Sequence, residues 1–560
     1  MFSSSRVRRL FPFLGWPKPT KVLLRGEALA GLTVGLMVIP QGVAYAALAG
    51  MPLVTGIYAS MMPALVAVLF SRSVRLSVGP TALSCLLVSA SLAGMAQPGS
   101  AEWVALAVWL SLIAGLLQVI LGLVRFGWLL NLVNAPVLMA FTQAAALLII
   151  GSQVPSLLGF RGDLSDFIQT PSINPLSLAF GVISLIALVL ARRRSPRFPS
   201  VLLVMLLAAG LSLLIGFEGS GGAVVGALPQ GLPELYWPDW PGFRELRQLA
   251  VPVLVITLIS FLETAASARV DNARHGAMWD QNQDLIGQGL AKLASGLSGA
   301  FPTSSSFSRS ALNLYAGAQT GWATLCSVLV VVVALLLLLP VLHHVPQSVL
   351  ASIVVVAVTG LMKPSEFVRL WRISRVETVI AVATFAITLL SAPQLYWGVM
   401  AGVLMTLSHF LYLRLHPKIY EVDRFHDARF GGRQATDSGP VINKTYAFRM
   451  DAELDFGSAN ALEQSISNYL SKHPQTQRII FLASSINRVD STGVEVFMRL
   501  RTQLAIQRRL LVMVGLRQEV EAVLRAADAL PLEGVSDPYI VLFANDAQLV
   551  DFLAAEQTTA

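Results

Sequence analysis

A long series of apolar stretches is the feature that most constrains what this chain can fold into. Before residue 414, apolar runs of about 20 residues, the length of a helix that crosses a bilayer, follow one another with few charges between them. Only 13% of all residues are charged, against roughly 25% in soluble proteins. The pattern predicts a protein that crosses a membrane many times.

About fourteen such stretches can be placed by length and apolarity. The third and tenth are the shortest in effective helical length, and several others are interrupted by Gly or Pro. The stretches lie near residues 27–46, 52–70, 78–94, 102–123, 128–151, 175–191, 199–216, 250–268, 285–300, 306–318, 322–341, 347–361, 376–391 and 395–413.

Basic residues predict the orientation in the membrane, because cytoplasmic loops carry an excess of Lys and Arg. With the N-terminal tail, residues 1–21, in the cytoplasm, the outside loops carry only Arg161, Arg244 and Arg247. This asymmetry predicts an even number of spans and a cytoplasmic C-terminus. It also accounts for most of the net charge of +8 without a nucleic-acid partner. The inside loops carry Arg72, Arg75, Arg125, Arg192, Arg193, Arg194, Arg197, Arg269, Arg274, Lys363, Arg369, Arg372, Arg375, Arg414 and Lys418.

The C-terminal part has the composition of a soluble domain. We assign residues 22–413 to the membrane domain, 414–439 to a polar linker and 440–560 to the soluble domain. In the last segment, strands alternate with helices, which is typical of a small α/β domain with a mainly parallel sheet. The predicted strands are 445–450, 478–483, 510–515 and 539–544, and the predicted helices are 459–470, 492–509, 519–529 and 547–555.

Two polar interruptions, residues 76–83 and 303–313, read as the starts of half-helices. A helix start presents unpaired N–H groups and the positive end of the helix dipole, and it therefore attracts anions. The two belong to the third and tenth stretches, hence to the third of each half of seven, as in transporters with inverted repeats. The alternative is a pair of loops with ordinary helix caps.

Three further features of the apolar region suggest a polar site. Arg309 is costly in a membrane, by about 2.5–3.5 kcal/mol on insertion scales, and it would place a fixed positive charge beside an anion unless it snorkels at a span end. Glu263 is the only ionisable residue between 251 and 268; it is a candidate for proton coupling or for a structural ion pair with Arg309. Gln41 and Tyr45 share one helix face and either line the cavity or satisfy each other.

Together these residues resemble the SulP (sulfate permease) family of anion transporters, over essentially the whole chain. The resemblance implies a polytopic α-helical membrane protein of fourteen spans, built as a 7+7 inverted repeat with core and gate domains, and a homodimer. It also implies a cytoplasmic C-terminal STAS domain, the sulfate transporter and anti-sigma antagonist module. The matching segments are 31–35, 39–46, 56–58, 77–80, 282–289, 306–310 and 317–320.

The resemblance also implies residue roles. The substrate of the family sits between the third and tenth half-helices, and Glu263 matches an acidic position associated with proton coupling in plant and bacterial relatives. Sodium-coupled bicarbonate relatives have a differently built acidic and hydroxyl site nearby, so sodium is the alternative coupling ion to the proton. The substrate-binding positions that carry over are Gln41, Tyr45, Thr81, Ala82, Ser308 and Arg309.

The STAS resemblance rests on residues 489–493, which follow a strand and open a helix. In anti-sigma antagonists the hydroxyl at this turn is phosphorylated, and a helix start receives a phosphate well. Thr492 is the matching position, with Ser491 as the second candidate. The alternative is a helix cap with no modification.

The expected function is secondary active transport of an inorganic anion, sulfate first, across a bacterial inner membrane by proton symport through an elevator-like alternating-access mechanism. The alternatives are a bicarbonate or dicarboxylate transporter coupled to sodium or protons, an anion exchanger, and a membrane sensor that signals through a cytoplasmic partner of its STAS domain. We expect no enzymatic activity, because no nucleophile–base arrangement or phosphate-binding loop is apparent.

No cofactor or metal site is expected either. The seven histidines form no metal constellation in the sequence, and the pair His343–His344 falls at a span end. Cys85 and Cys326 lie in apolar runs and read as buried small residues. The expected partners are therefore the anion, the co-transported proton and a second copy of the chain.

Overall fold

The computed structural model describes residues 11–128, 134–160, 164–169, 172–194, 199–227, 231–275, 278–337, 339–422, 444–531 and 537–559. The chain divides into two compact units, Met1–Thr406 and Leu407–Ala560. The first is almost entirely helical and the second contains a β-sheet. Arg161, Arg197 and most of the predicted linker fall outside the described residues, as do residues 1–10 of the predicted tail.

A helix lies at each of the apolar stretches that the sequence predicts. Two short strands and a few short helices lie between them. In chain order the elements are α1 (Lys21–Leu48), α2 (Leu53–Phe70), β1 (Val78–Gly79), α3 (Ala82–Leu92), α4 (Ala101–Leu123), α5 (Ala135–Leu157), α6 (Leu164–Gln169), α7 (Pro175–Arg194), α8 (Ser200–Leu214), α9 (Phe243–His275), α10 (Gln281–Leu297), β2 (Ser304–Ser305), α11 (Phe307–Tyr315), α12 (Trp322–Leu337), α13 (Leu339–Leu342), α14 (Gln347–Thr359), α15 (Ser365–Ile373), α16 (Arg375–Leu390) and α17 (Tyr396–Leu415).

Six of the described helices are long and apolar enough to cross a membrane by length and composition. Five more are apolar but shorter, between 10 and 17 residues. The shortness of α3 (11 residues) and α11 (9 residues) agrees with the two interruptions in the sequence. The helical, multi-pass architecture is therefore confirmed.

Two details differ from the sequence prediction. The helix α5 starts at Ala135 rather than near residue 128, with a proline in its first turn, where the missing N–H is harmless. The helix α15 forms in a segment that we predicted as a charged loop. Its nine residues have no buried side chain, and a helix this short is missed by a search for apolar runs of about 20 residues.

Glycines allow the helices around the central region to approach closely. A Cβ added to Gly115 on α4 would lie 2.8 Å from the carbonyl oxygen of Gly289 on α10, and one added to Gly289 would lie 2.6 Å from that of Gly115. Small residues permit this kind of backbone contact between helices in membranes. The contact fixes α10, which carries the polar residues described below, against α4.

The second unit contains a five-stranded sheet in the order β3-β4-β5-β6-β7. β3 pairs antiparallel with β4, and the other neighbours are parallel, as the α/β pattern predicted. The elements are β3 (Ile419–Glu421), β4 (Thr445–Met450), α18 (Ala459–Lys472), β5 (Arg478–Leu482), α19 (Ser491–Ile506), β6 (Leu510–Val514), α20 (Gln518–Ala526), β7 (Ile540–Phe543) and α21 (Asp546–Thr559).

β3 is an addition to the prediction, because it lies in the segment that we assigned to the linker. It has only three residues, too few to show an alternating pattern. Its pairing with β4, in which Ile419 faces Met450, makes it a strand. Residues 423–443 of the linker region are not among the described residues.

Candidate functional site

The two polar interruptions meet in space and pair with each other. β1 and β2 form an antiparallel pair in which Val78 faces Ser305 and Gly79 faces Ser304. Two further hydrogen bonds join the segments: the Ser306 N–H donates to the Ser77 carbonyl (2.9 Å), and the Ser77 N–H donates to Ser310 Oγ (3.0 Å). The pairing satisfies backbone groups that would otherwise be unpaired inside a membrane protein, and it places the starts of α3 and α11 side by side.

Each of these helix starts is capped by a hydroxyl. Thr81 Oγ1 accepts from the Ser84 N–H (3.2 Å), and Ser306 Oγ accepts from the Arg309 N–H (3.4 Å). A helix start has several N–H groups without intrahelical partners, and each cap satisfies one of them. The other N–H groups of each first turn have no partner within their own helix.

Arg309 lies at the meeting point with only 1% of its surface exposed. Its guanidinium donates from Nε to Ser77 Oγ (3.3 Å) and from Nη1 to the Pro80 carbonyl (2.9 Å) and Gln41 Oε1 (3.5 Å). Its Nη2 is buried and has no hydrogen-bond partner among the residues that the structure describes. A Cβ added to Gly79 would lie 3.2 Å from this Nη2, so the glycine leaves room beside the unpaired donor.

Glu263 projects from α9 to the start of α3. Thr81 Oγ1 donates to Glu263 Oε2 at 3.1 Å, and Ser84 Oγ lies 3.5 Å from the same oxygen. No ion pair joins Glu263 to Arg309 in the described part of the chain. The carboxylate is therefore held by hydroxyl donors, and the positive charge of Arg309 is not neutralised by a direct carboxylate contact.

The remaining predicted residues surround this centre. Gln41 (4% exposed) accepts a hydrogen bond from Arg309. Tyr45 (7% exposed) lies one turn further along α1. Ala82 is buried as the first residue of α3. Ser308 is exposed, and its Oγ lies 3.4 Å from Ser306 Oγ, so α11 presents an open side at this point.

A family model described as the sulfate permease family matches residues 24–384, and a STAS domain model matches residues 439–537. The chain belongs to the sulfate permease family. Curated relatives that match most of the chain are named as sulfate transporters. The chain is 31% identical to a probable sulfate transporter of Mycobacterium tuberculosis, over 93% of this chain and 94% of the relative. It is 29% identical to the chloroplastic sulfate transporter 4.1 of Arabidopsis thaliana, over 87% and 75%.

Solved structures of other transporters share the fold. The overall structure of SLC26A9 superposes with a TM-score of 0.87 at 20% identity, over 99% of this chain and 94% of that one. The transmembrane domain of the cyanobacterial bicarbonate transporter BicA gives 0.59 at 20% identity, over 69% and 99%. The family models and the curated relatives show that the chain is a multi-pass anion transporter of the sulfate permease family with a STAS domain, and not an enzyme, as the sequence predicted.

One buried cation of the membrane unit escaped the sequence reasoning. Lys292 on α10 is fully buried, and its Nζ donates to Gln118 Oε1 at 2.9 Å. Gln118 in turn donates to the Thr257 carbonyl (3.0 Å) and to Ser260 Oγ (2.9 Å) on α9, the helix of Glu263. The available signal was that Lys292 is the only lysine between Lys21 and Lys363 and lies in an apolar stretch.

Other buried acids of the membrane unit hold loops in place. Glu27 Oε1 accepts from the Gln319 and Thr320 N–H groups at 3.0 and 2.8 Å. Asp284 accepts from the Arg72 and Ser73 N–H groups at 2.7 and 3.0 Å. These backbone contacts indicate structural roles, although each acid also accepts from a hydroxyl, Thr320 Oγ1 or Ser73 Oγ. Glu263 differs because its hydroxyl donors stand at the start of a half-helix.

In the STAS domain, the predicted phosphorylation site lies at the start of α19. Asp490 caps this helix through the Gly493 N–H (2.8 Å), and Ser491 and Thr492 are both exposed. Elsewhere in the domain, the carboxylate of Asp537 accepts hydrogen bonds from the Tyr539 N–H (2.8 Å) and from Arg501 Nη2 (2.6 Å). Burial opposes ionisation of Asp537, but these donors outweigh it and hold the pKa of the carboxyl below its ordinary value.

Proposed function

We propose that this sulfate permease is a secondary active transporter that carries an inorganic anion, sulfate first, into the cell together with a proton. The observation that carries the proposal is the buried guanidinium of Arg309, whose Nη2 lies beside Gly79 where the two half-helices meet and finds no partner within the described part of the chain. A buried polar group without a partner is costly, and an anion oxygen would satisfy it. The names of the curated relatives support sulfate as the first candidate.

The proposed anion site has a net positive character. Two helix starts contribute partial positive charge through their N–H groups, and Arg309 contributes a full charge that no carboxylate contacts directly among the described residues. The positive charge of such a site selects an anion by its sign, whereas the shape of the cavity selects among anions. We propose that the contacts come from the half-helix starts and from α1, through Gln41, Tyr45, Thr81, Ala82, Ser308 and Arg309.

Glu263 is the proposed proton carrier. Moving a charge against the membrane potential costs about 2.3 kcal/mol per 100 mV, hence roughly 4.6 kcal/mol for inward movement of sulfate. A proton carried on Glu263 offsets half of this cost. Thr81 connects the two events, because its hydroxyl both caps α3 and donates to Glu263. Protonation of Glu263 removes the negative charge to which the Thr81 hydroxyl donates. It therefore alters the hydrogen bonding of the Thr81 cap at the start of α3, the helix start that faces the anion.

The proposed architecture is that of an elevator-like transporter. It comprises fourteen spans arranged as a 7+7 inverted repeat with core and gate domains, in the bacterial inner membrane, with both termini cytoplasmic and with two chains per assembly. The helices that lie at the predicted apolar stretches and the arginines of the predicted inside loops support it. We propose residues 1–21 as the tail, 22–413 as the transport domain, 414–439 as the linker and 440–560 as the STAS domain.

The test is uptake of a panel of labelled anions by purified protein in liposomes, with pH and sodium gradients imposed separately. We expect sulfate uptake driven by an inward proton gradient and not by sodium. Glu263→Gln should abolish the dependence on the pH gradient while anion binding persists, because the amide resembles a permanently protonated acid. Glu366→Gln, at a more exposed glutamate on α15, is the matched control. Proton-driven uptake that is unchanged in Glu263→Gln would refute the coupling role.

A further inference from the structure

A cluster of three metal-ligating side chains lies away from the anion site. Glu218 follows α8, and His343 and His344 follow α13. One ligand atom from each of these residues lies within 4.8 Å of the others. His343 Nε2 is 3.3 Å from Glu218 Oε2, and the two imidazole rings are 4.7 Å apart between centroids. Nothing in the sequence joins these residues, because 125 positions separate Glu218 from His343.

We propose that Glu218, His343 and His344 bind one divalent transition-metal ion of the Zn²⁺ type. Two imidazoles and a carboxylate are a ligand set that zinc uses, with a water in the fourth position. Ligand bonds of 2.0–2.2 Å in a tetrahedral site put ligand atoms roughly 3.3–3.6 Å apart. The His343–Glu218 distance already has this value, and since all three ligand atoms lie within 4.8 Å of one another, His344 has to approach by up to about 1.5 Å to reach that spacing.

The surrounding structure holds the ligands in position. Phe217, directly before Glu218, is fully buried and packs on Phe180 with ring centroids 5.1 Å apart. Leu342 and Val345, which flank the two histidines, are each only 1% exposed. Each ligand thus stands next to a buried anchor, so little ordering is needed when a metal binds.

Backbone hydrogen bonds also join the two ligand-bearing segments. The Gly226 N–H donates to the His343 carbonyl (3.1 Å), and the Val225 N–H donates to the Val345 carbonyl (2.9 Å). The Gln347 N–H donates back to the Ala223 carbonyl at 2.9 Å. A bound ion would therefore reinforce an existing contact between the segment after α8 and the segment before α14, rather than having to create it.

A simple ion pair does not account for the cluster equally well. One imidazole is enough to pair with Glu218, which is exposed, and exposed pairs contribute little to stability. The second imidazole, from His344, adds no charge contact that the pair requires. It does add the third ligand that a zinc site needs.

The test is direct binding of Zn²⁺ to the purified full-length protein, measured by calorimetry and by the metal retained after gel filtration. We expect one Zn²⁺ per chain and a rise in the thermal unfolding temperature with Zn²⁺ concentration, because a ligand of the native state stabilises it. Mg²⁺ and Ca²⁺ should give neither effect, since both prefer oxygen ligands. This readout does not depend on anion transport.

Variants decide whether the ion occupies this cluster. Glu218→Gln, His343→Ala and His344→Ala should each weaken Zn²⁺ binding by about tenfold or more, at least the loss seen when an outer-shell partner is removed. His473→Ala, in the STAS domain, is the control and should bind Zn²⁺ as the wild type does. Glu218 is exposed, so Glu218→Gln tests the site without disturbing packing. Absence of Zn²⁺ binding, or equal binding by all these variants, would overturn the proposal.

Discussion

Removal of the Arg309 guanidinium is the sharpest test of the anion site. Arg309→Ala takes away the buried charge and its unpaired Nη2, while the starts of α3 and α11 remain. A hydrogen bond to a charged group contributes about 1.5–3 kcal/mol. At 1.4 kcal/mol per factor of ten, we expect sulfate affinity to fall by roughly 10- to 150-fold.

The same substitution also affects folding, and the two effects must be separated. In the native protein, Nη1 donates to the Pro80 carbonyl and to Gln41 Oε1. Without Arg309 these buried acceptors lose a donor, at about 1–3 kcal/mol each, while the cost of burying the charge disappears. Sulfate binding should therefore be measured by calorimetry on protein that is monodisperse and folded, with thermal unfolding recorded in parallel.

Two related variants sharpen the interpretation. Ser77→Ala removes only the acceptor of Arg309 Nε and keeps the charge, so we expect a smaller loss of affinity than in Arg309→Ala. Arg309→Lys also keeps the charge but replaces a planar fork with a single ammonium, which cannot reach Ser77, Pro80 and an anion together. We expect it to rescue binding only partly. Wild-type sulfate affinity in folded Arg309→Ala would refute the assignment of the site.

Three further predictions concern other parts of the molecule. Gly79→Ala should lower sulfate uptake without unfolding the protein, since its Cβ would lie 3.2 Å from Arg309 Nη2; labelled uptake checks this. Gln118→Leu should destabilise the protein by several kcal/mol because it leaves Lys292 buried without its acceptor. The double variant with Lys292→Met should recover most of that loss in thermal unfolding. Asp537→Asn should destabilise the STAS domain by about 0.2–1 kcal/mol at pH 7, with the difference disappearing as the pH falls below about 4, because a carboxyl with a lowered pKa stabilises only while ionised.

Much of the fold was accessible from the sequence because membrane helices leave a local signal. An apolar run of about 20 residues reports a helix wherever it lies in the chain, and the alternation of strands and helices after residue 440 reports an α/β domain. The two half-helix starts were found for the same reason. Pro80 and the serines around Ser306 are unusual in their own apolar surroundings, so no knowledge of distant contacts was needed.

The sequence by itself determined the class of protein, the approximate position of the apolar helices, and the residues that we propose for the anion site. Only the tertiary structure decided how these residues are used. The pairing of β1 with β2, the hydrogen bonds of the Arg309 guanidinium and the hydroxyl contacts of Glu263 all join segments that are far apart in the chain. Helix formation depends on neighbours in sequence, whereas the charge balance of a buried site depends on neighbours in space.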